Sequence, residues 1–238
     1  YGKHMLNLNL IRALRQSIPV IVTLHEVHYA GSSFKEKVLA AIERAIVKRA
    51  SLSVVHTNKQ KEFLQQQLPH AAIETIFMGI KPMKMHQKKY KNLLFFGLLS
   101  PNKGVHILLK AMAKLPGYSL IVAGKIGDRI DDAYVNELKQ IKSSMKLEHV
   151  SLEIGWVSEE RKKELFEHAD LLIMPYLWAP YQSAVLHDAF SYGLPVVVTD
   201  AGCVHEVVEE FKAGIVVKSH SSEALVDGIK KATKHYKE

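Results

Sequence analysis

Short apolar runs and helical stretches of mixed polarity take turns along most of the chain. After a brief amphipathic stretch at Leu6–Leu14, Ile18–Leu24 (IPVIVTL) is rich in β-branched residues. It reads as a buried strand, with Pro19 tolerable only near its start. Phe34–Arg49 has helical period, with Val38, Ala41, Ile42, Ala45 and Ile46 on one face. Leu52–Val55 is a further short strand, Asn58 is placed to cap the helix after it, and Ile73–Phe77 is a third strand. The basic, weakly patterned KPMKMHQKKYK of residues 81–91 reads as a linker. Beyond it, strands are predicted at Leu93–Phe96, Ser119–Ala123, Val150–Ile154, Leu171–Met174, Pro195–Thr199 and Gly214–Val217. Helices are predicted over 104–114, 131–146, 159–168, 183–192 and 221–236. Strands separated by helices of this length imply βαβ units and parallel sheets. The expectation is an α/β protein with a partial unit over 1–80 and a second unit over 92–238. In such sheets ligands bind beyond the carboxyl ends of the strands, so the residues just after each strand carry the interest.

Composition narrows the class. With 238 residues, 47% apolar and 24% charged, the chain can bury a core without staples, which excludes disordered, collagen-like and disulfide-scaffold classes. The single cysteine, Cys203, cannot form an intrachain bridge and points to a reducing compartment. No apolar run approaches the roughly 18 residues of a spanning helix. The opening YGKHMLNLNL lacks the apolar core of a signal peptide, so a cytoplasmic location is expected. Charge is uneven: residues 1–91 carry 15 Lys/Arg and 5 Asp/Glu, a net of +10, while residues 92–238 carry 17 and 19, a net of −2. That asymmetry suits a surface that meets phosphates, of lipid head groups or nucleic acid, and equally a solubilising basic face.

Three segments could carry chemistry. Gly97–Gly104 (GLLSPNKG) follows a strand and precedes a helix. Glycines there free backbone N–H groups for phosphate, and Lys103 adds a positive charge; a plain turn with an exposed lysine fits the spacing too. In Tyr176–Glu210 a loop with three aromatics leads into a helix near Ser183. Ser183 is a plausible N-cap, and the amides of Ala184 and Val185 are free donors at the positive end of the helix dipole. Asp188, further along, can accept two hydrogen bonds from a ribose diol or simply face solvent. In Thr23-Leu-His25-Glu26, His25 lies at the carboxyl end of a strand. It can donate to a hydroxyl or phosphate or accept a proton, or serve as a satisfied core histidine. Glu206, on a later short helix, fits a surface charge. No His/Cys/Asp group has the spacing of metal ligands.

The order TLHE, FGLLSPNKG and PYLWAPYQSAVLHDAFSYGLPVVVTDAG resembles the group 1 (family 4) glycosyltransferases of the GT-B fold. The likeness covers nearly the whole chain and is most specific in AFSYGLPVVVTDAG. It implies two Rossmann-like domains, the C-terminal one binding a nucleotide-diphosphate sugar and the N-terminal one the acceptor. It also implies transfer with retention and no catalytic metal or other cofactor. On this likeness Lys103, with Gly97 and Gly104, falls at the pyrophosphate. Asp188 falls on the glutamate that holds the ribose. Tyr181, Gln182, Ser183, Ala184 and Val185 fall in the loop and first helical turn that face the sugar and phosphates. His25 falls on the histidine near the transferred sugar. Four positions depart from the family: Leu98 replaces an arginine, Pro180 replaces the first glutamate of the E-x7-E pair, Asp188 replaces the second, and Cys203 replaces a loop glycine. The likeness further implies missing segments before TLHE and after Glu238, leaving the N-terminal domain incomplete.

The function expected is transfer of a sugar from a nucleotide-diphosphate donor to a glycan or lipid-linked acceptor, with an anionic membrane surface as a partner. A catalytically degenerate nucleotide-binding relative is the alternative. A nucleic-acid-binding protein is a third reading, for which no aromatic–basic interleaving or recognition helix speaks, so no nucleic acid is expected as partner.

Overall fold

The computed structural model describes residues 18–28, 34–83, 89, 91–127, 132–179 and 182–237. Leu6–Leu14 and Tyr181 lie outside the described residues. Contacts divide the chain into two compact units, Tyr1–Met78 with Pro180–Gln182, and Gly79–Ala179 with Ser183–Glu238.

The first unit holds a parallel sheet of β1 (Ile21–Thr23), β2 (Leu52–Val55) and β3 (Ile73–Thr75) in that order. Helices α1 (Phe34–Arg49) and α2 (Asn58–Gln67) make the crossovers. Its core gathers Val27, Val47, Val55, Leu64, Leu68 and Ile73. Three expectations need correcting here. β1 is shorter than Ile18–Leu24 and is not buried: it lies at the edge of the described sheet, and Ile21 is 64% exposed. The cap of α2 is Thr57, whose extended backbone lets its side chain accept from the Gln60 N–H, while Asn58 is already helical. The buried face of α1 is rotated from the apolar stripe, with Ala40, Glu43 and Val47 buried and Ala41 exposed. The cause is Glu43, a carboxylate in the core face. It accepts from both the backbone N–H and the Nδ1 of His28, and Arg44 donates to the His28 carbonyl. The polar pair clamps the segment after β1 that carries His25.

The second unit is a six-stranded, all-parallel sheet, as the alternation implied. In chain order it runs β4 (Asn92–Phe96), α3 (Val105–Met112), β5 (Ser119–Gly124), α4 (Asp132–Ser144), β6 (Val150–Ile154), α5 (Glu159–His168), β7 (Leu171–Met174), α6 (Ala184–Ser191), β8 (Val196–Thr199), α7 (Val204–Glu210), β9 (Gly214–Val217) and α8 (Ser222–Lys237). β7 and β8 are buried along their whole length, because helices cover both faces of a parallel sheet. Spatially the order is β6-β5-β4-β7-β8-β9. The chain winds outward from β4 to β6, then returns to lay β7 on the other side of β4. The gap between β4 and β7 is therefore the switch point where such sheets bind ligands. Buried Asp170, just before β7, fixes the entry to β4 by accepting from the backbone N–H of Lys89, Lys91 and Asn92.

Candidate functional site

The two loops at this switch point are tied to each other. After β4 the chain turns at Gly97 (φ +133), forms a single 3-10 turn at Pro101–Lys103, and enters α3 through Gly104 (φ +69). The predicted helix start at 104 is thus a left-handed residue instead. Only glycine fits there: a Cβ would lie 1.9 Å from the Pro175 carbonyl oxygen, in the loop after β7. A backbone bond from the Leu177 N–H to the Asn102 carbonyl (2.8 Å) closes the same seam. The loop after β8 joins from the other side. Thr199 Oγ1 donates to the Tyr176 carbonyl, and the Cys203 N–H donates to the Ala179 carbonyl (2.9 Å).

Lys103 is held inside this seam. Its ammonium lies 3.7 Å from the centre of the Tyr176 ring. Burial pulls its pKa down from 10.5 to about 8. A cation kept poorly hydrated at a switch point is a ready partner for an anion that enters it.

Across the seam α6 begins at Ala184. Ser183 sits at the N-cap position, but its side chain makes no cap bond, so the expected Ser183 cap is a backbone feature only. Its carbonyl instead receives His187 Nδ1 (2.9 Å). The amides of Ala184 and Val185 thus have no side-chain cap from Ser183, whose carbonyl also accepts from the Leu186 N–H (3.0 Å), and Ala184 is exposed. Val185 faces Gly97, where a Cβ would be 3.7 Å from Val185 Cγ2. The glycine at 97 therefore answers to its φ of +133 rather than to crowding. Gln182 is half-buried in the segment before the helix.

Asp188 does not face solvent alone. Its carboxylate pairs with Lys162 Nζ of α5 at 2.8 Å. Lys162 also lines a cleft of about 240 Å³ at the ends of β4, β5 and β6, with Gly97, Gly124, Lys125, Gly155 and Trp156. Trp156 is 84% exposed at its rim. Gly124 packs so tightly beneath that a Cβ would meet the Gly97 carbonyl oxygen at 1.8 Å. The structure therefore brings Gly97, Gly104, Lys103 and the start of α6 to one switch point. It links Asp188 to the adjoining cleft through Lys162. Trp156, Lys162 and Tyr176 escaped sequence reasoning. For Trp156 a signal existed, since Gly155-Trp156 follows its strand as Gly97-Leu98 follows β4. For Lys162, one lysine in a charged helix, none did.

In the first unit, His25 is exposed beyond β1, and its Nδ1 lies 3.0 Å from Nε2 of buried His56. Elsewhere in this unit Lys37, Lys48 and Lys59 are exposed and Lys61 is paired with Glu74 at 2.8 Å. Among the described residues no group of three His, Cys, Asp or Glu could hold a metal ion. Among them, too, no helix is long and apolar enough to cross a membrane.

The family model described as "Glycosyl transferases group 1" matches residues 80–238. The chain belongs to that family. The putative glycosyltransferase YtcC of Bacillus subtilis is 23% identical over 91% of this chain and 58% of its own length. The uncharacterized glycosyltransferase MJ1607 of Methanocaldococcus jannaschii is 25% identical over 68% of this chain and 45% of its own. The chain thus spans about half the length of these curated relatives. Among solved structures, Anabaena HepE in complex with UDP is 21% identical, with a TM-score of 0.75 over 98% of this chain and 68% of that one. Sucrose-phosphate synthase from Thermosynechococcus elongatus is 19% identical, with a TM-score of 0.71 over 92% and 60%. These structures share the GT-B fold of the present chain.

Proposed function

We propose that this group 1 glycosyltransferase takes its sugar from a nucleotide-diphosphate donor bound at the β4/β7 switch point. The transfer runs with retention and without a metal or other cofactor, in the manner of family 4. The observation that carries this reading is the convergence of a desolvated cation, Lys103, with the amino end of α6 at that one point. A diphosphate leaving group gathers negative charge as the glycosidic bond breaks, and a preset cation and helix dipole stabilise it there. Asp188 holds the ribose, in exchange for or beside Lys162. On the family likeness Tyr181 and Gln182 belong to the donor loop, and His25 is a sugar-contacting histidine. HepE, which shares the fold, has been solved with UDP and with UDP-glucose, which supports a nucleotide sugar as donor.

The acceptor in this reading is a glycan or lipid-linked sugar at the cytoplasmic face of a membrane. Two relatives bear names of that kind, a phosphatidyl-myo-inositol mannosyltransferase of Mycobacterium leprae and a lipopolysaccharide core mannosyltransferase of Rhizobium meliloti. The deciding experiment is calorimetric titration of the full-length protein with UDP-, GDP- and ADP-sugars, followed by a donor and acceptor turnover screen. Binding of one class with turnover supports the reading. Binding without turnover assigns the protein to the degenerate relatives, for which the exposed Leu98 in place of an arginine is the supporting observation. No binding of any nucleotide refutes it.

A further inference from the structure

We propose that His56 is a positioning residue for His25. It fixes the His25 tautomer with the proton on Nδ1, so that Nε2 meets the substrate as a hydrogen-bond acceptor. The inference deepens the reading of His25 as the contact to the transferred sugar and rests on it.

The two histidines leave neighbouring strand ends. β1 and β2 pair in parallel with Thr23 opposite Val54, so His25 and His56, two residues beyond each, emerge side by side. Their rings stack with centroids 5.0 Å apart and planes 30° from parallel. His56 is 6% exposed, whereas His25 is exposed. Three hydrogen bonds hold the buried ring's place and settle its protons. The His56 backbone N–H donates to Gln60 Oε1 at 3.1 Å, which fixes the residue on the first turn of α2. His56 Nδ1 lies 2.9 Å from the Ile76 carbonyl, just past β3. His56 Nε2 lies 3.0 Å from His25 Nδ1.

A carbonyl oxygen only accepts, so His56 Nδ1 carries a hydrogen. A neutral imidazole has one N–H, which leaves His56 Nε2 bare. The bond between the rings must then use a hydrogen on His25 Nδ1. Neutral His25 therefore has no proton on Nε2. The opposite arrangement needs a doubly protonated His56, a cation in a buried position whose ring nitrogens meet a carbonyl and another imidazole, which is costly. Of the two roles open to a histidine at this strand end, the geometry selects one. In its neutral form His25 accepts from a sugar hydroxyl and cannot donate to a phosphate through Nε2. Nothing in the motif TLHE carries this, because the residue that decides it is 31 positions away.

The test uses the full-length protein labelled with 15N-histidine, with His25 and His56 signals assigned from the His25→Gln and His56→Gln spectra. Long-range 1H–15N correlations should show neutral His25 protonated on Nδ1. His56→Phe keeps a ring to stack on but offers no acceptor, and should release His25 to the Nε2–H form. His56→Gln restores an acceptor near the position of Nε2 and should keep the Nδ1–H form. With a nucleotide-sugar donor, kcat should fall by about tenfold or more in His56→Phe, the scale on which partners that orient histidine act. It should recover in His56→Gln, with KM for the donor little changed in both. Circular dichroism establishes that each variant is folded. An Nε2–H tautomer in the unmodified protein overturns the inference, as does an unchanged tautomer in His56→Phe. Equal loss of kcat in folded Phe and Gln variants overturns it as well. If no donor is turned over, the glycosyl-transfer reading fails by itself, and the tautomer measurement still decides the role of His56.

Discussion

The Lys103 ammonium rests 3.7 Å above the Tyr176 ring, joining the loop after β4 to the loop after β7. Its pKa is lowered to about 8 by burial, and that sets a pH dependence for diphosphate binding. Below pH about 8 the free protein already holds the charge, so affinity for a nucleoside diphosphate should be flat. Above it, Lys103 of the unliganded protein loses its proton, whereas Lys103 beside a diphosphate keeps it. Affinity should therefore fall as pH rises from about 8 to 10, by at most about tenfold per pH unit. Lys103→Arg stays charged and should flatten the profile. Lys103→Ala should weaken binding at pH 7 by about 1.5–3 kcal/mol. Calorimetry across pH 7–10 checks all three.

Asp188 and Lys103 should separate by ligand. A carboxylate that holds the ribose has no use for pyrophosphate. Asp188→Ala should therefore cost a nucleoside diphosphate about 1.5–3 kcal/mol of affinity while leaving pyrophosphate binding as strong or stronger. Lys103→Ala should weaken both. The Lys162–Asp188 pair is partly exposed, so breaking it should lower stability by less than about 1 kcal/mol. A large drop in melting temperature in Asp188→Ala would show the carboxylate to be structural.

The sheet of the second unit was legible because most of its strands are short apolar runs bounded by helical patterns, as Leu171–Met174 and Val196–Thr199 show. Lys103 and the start of α6 were legible because each lies in the connection from a strand to the next helix. Three things were not. Glu43 hides in α1 as an apparent solvent charge, and the periodicity of apolar residues alone rotates that helix the wrong way. Thr57 and Asn58 are both good caps, and only the backbone angles separate them. The partners of the site residues, Lys162 for Asp188 and His56 for His25, come from other elements, and side-chain pairing across elements leaves no local pattern.

Gly104 should resist replacement by any other residue. Its φ of +69 strains any L side chain, and a Cβ would overlap the Pro175 carbonyl oxygen at 1.9 Å. The loops after β4 and β7 would have to part. Gly104→Ala should lose about 3 kcal/mol or more of stability in thermal or urea unfolding. Gly117→Ala, where nothing lies within 4 Å, serves as the control and should change stability by less than about 0.5 kcal/mol.

The basic surplus of the first part of the chain predicts vesicle binding if the acceptor is lipid-linked. Lys37, Lys48 and Lys59 are exposed, and each lysine near an anionic surface adds about 1 kcal/mol within a Debye length. In flotation the full-length protein should bind vesicles rich in anionic lipid, bind neutral ones weakly, and release in high salt. Equal partitioning to both kinds, or to neither, would leave the surplus as a solubilising face.

Trp156 offers a direct optical readout of where the base of the nucleotide lies. It follows β6, two strands from the switch point, and strands about 4.8 Å apart put it about 10 Å from the end of β4. A nucleotide whose phosphates sit at Lys103 can therefore reach it with its base along the cleft that Trp156 and Gly97 share. The ring is 84% exposed, and stacking on a base would cover it. Stacking is worth about 1–3 kcal/mol per base, so Trp156→Ala should weaken nucleoside diphosphate binding by that amount and leave pyrophosphate binding unchanged. Trp156→Phe should lose less. Trp178, the second tryptophan, is also exposed, so a Trp178→Phe background isolates the signal. In that background UDP or GDP should quench the remaining fluorescence in step with calorimetric saturation. Saturable binding with no quenching would place the base away from β6 and turn the nucleotide along the sheet toward β8.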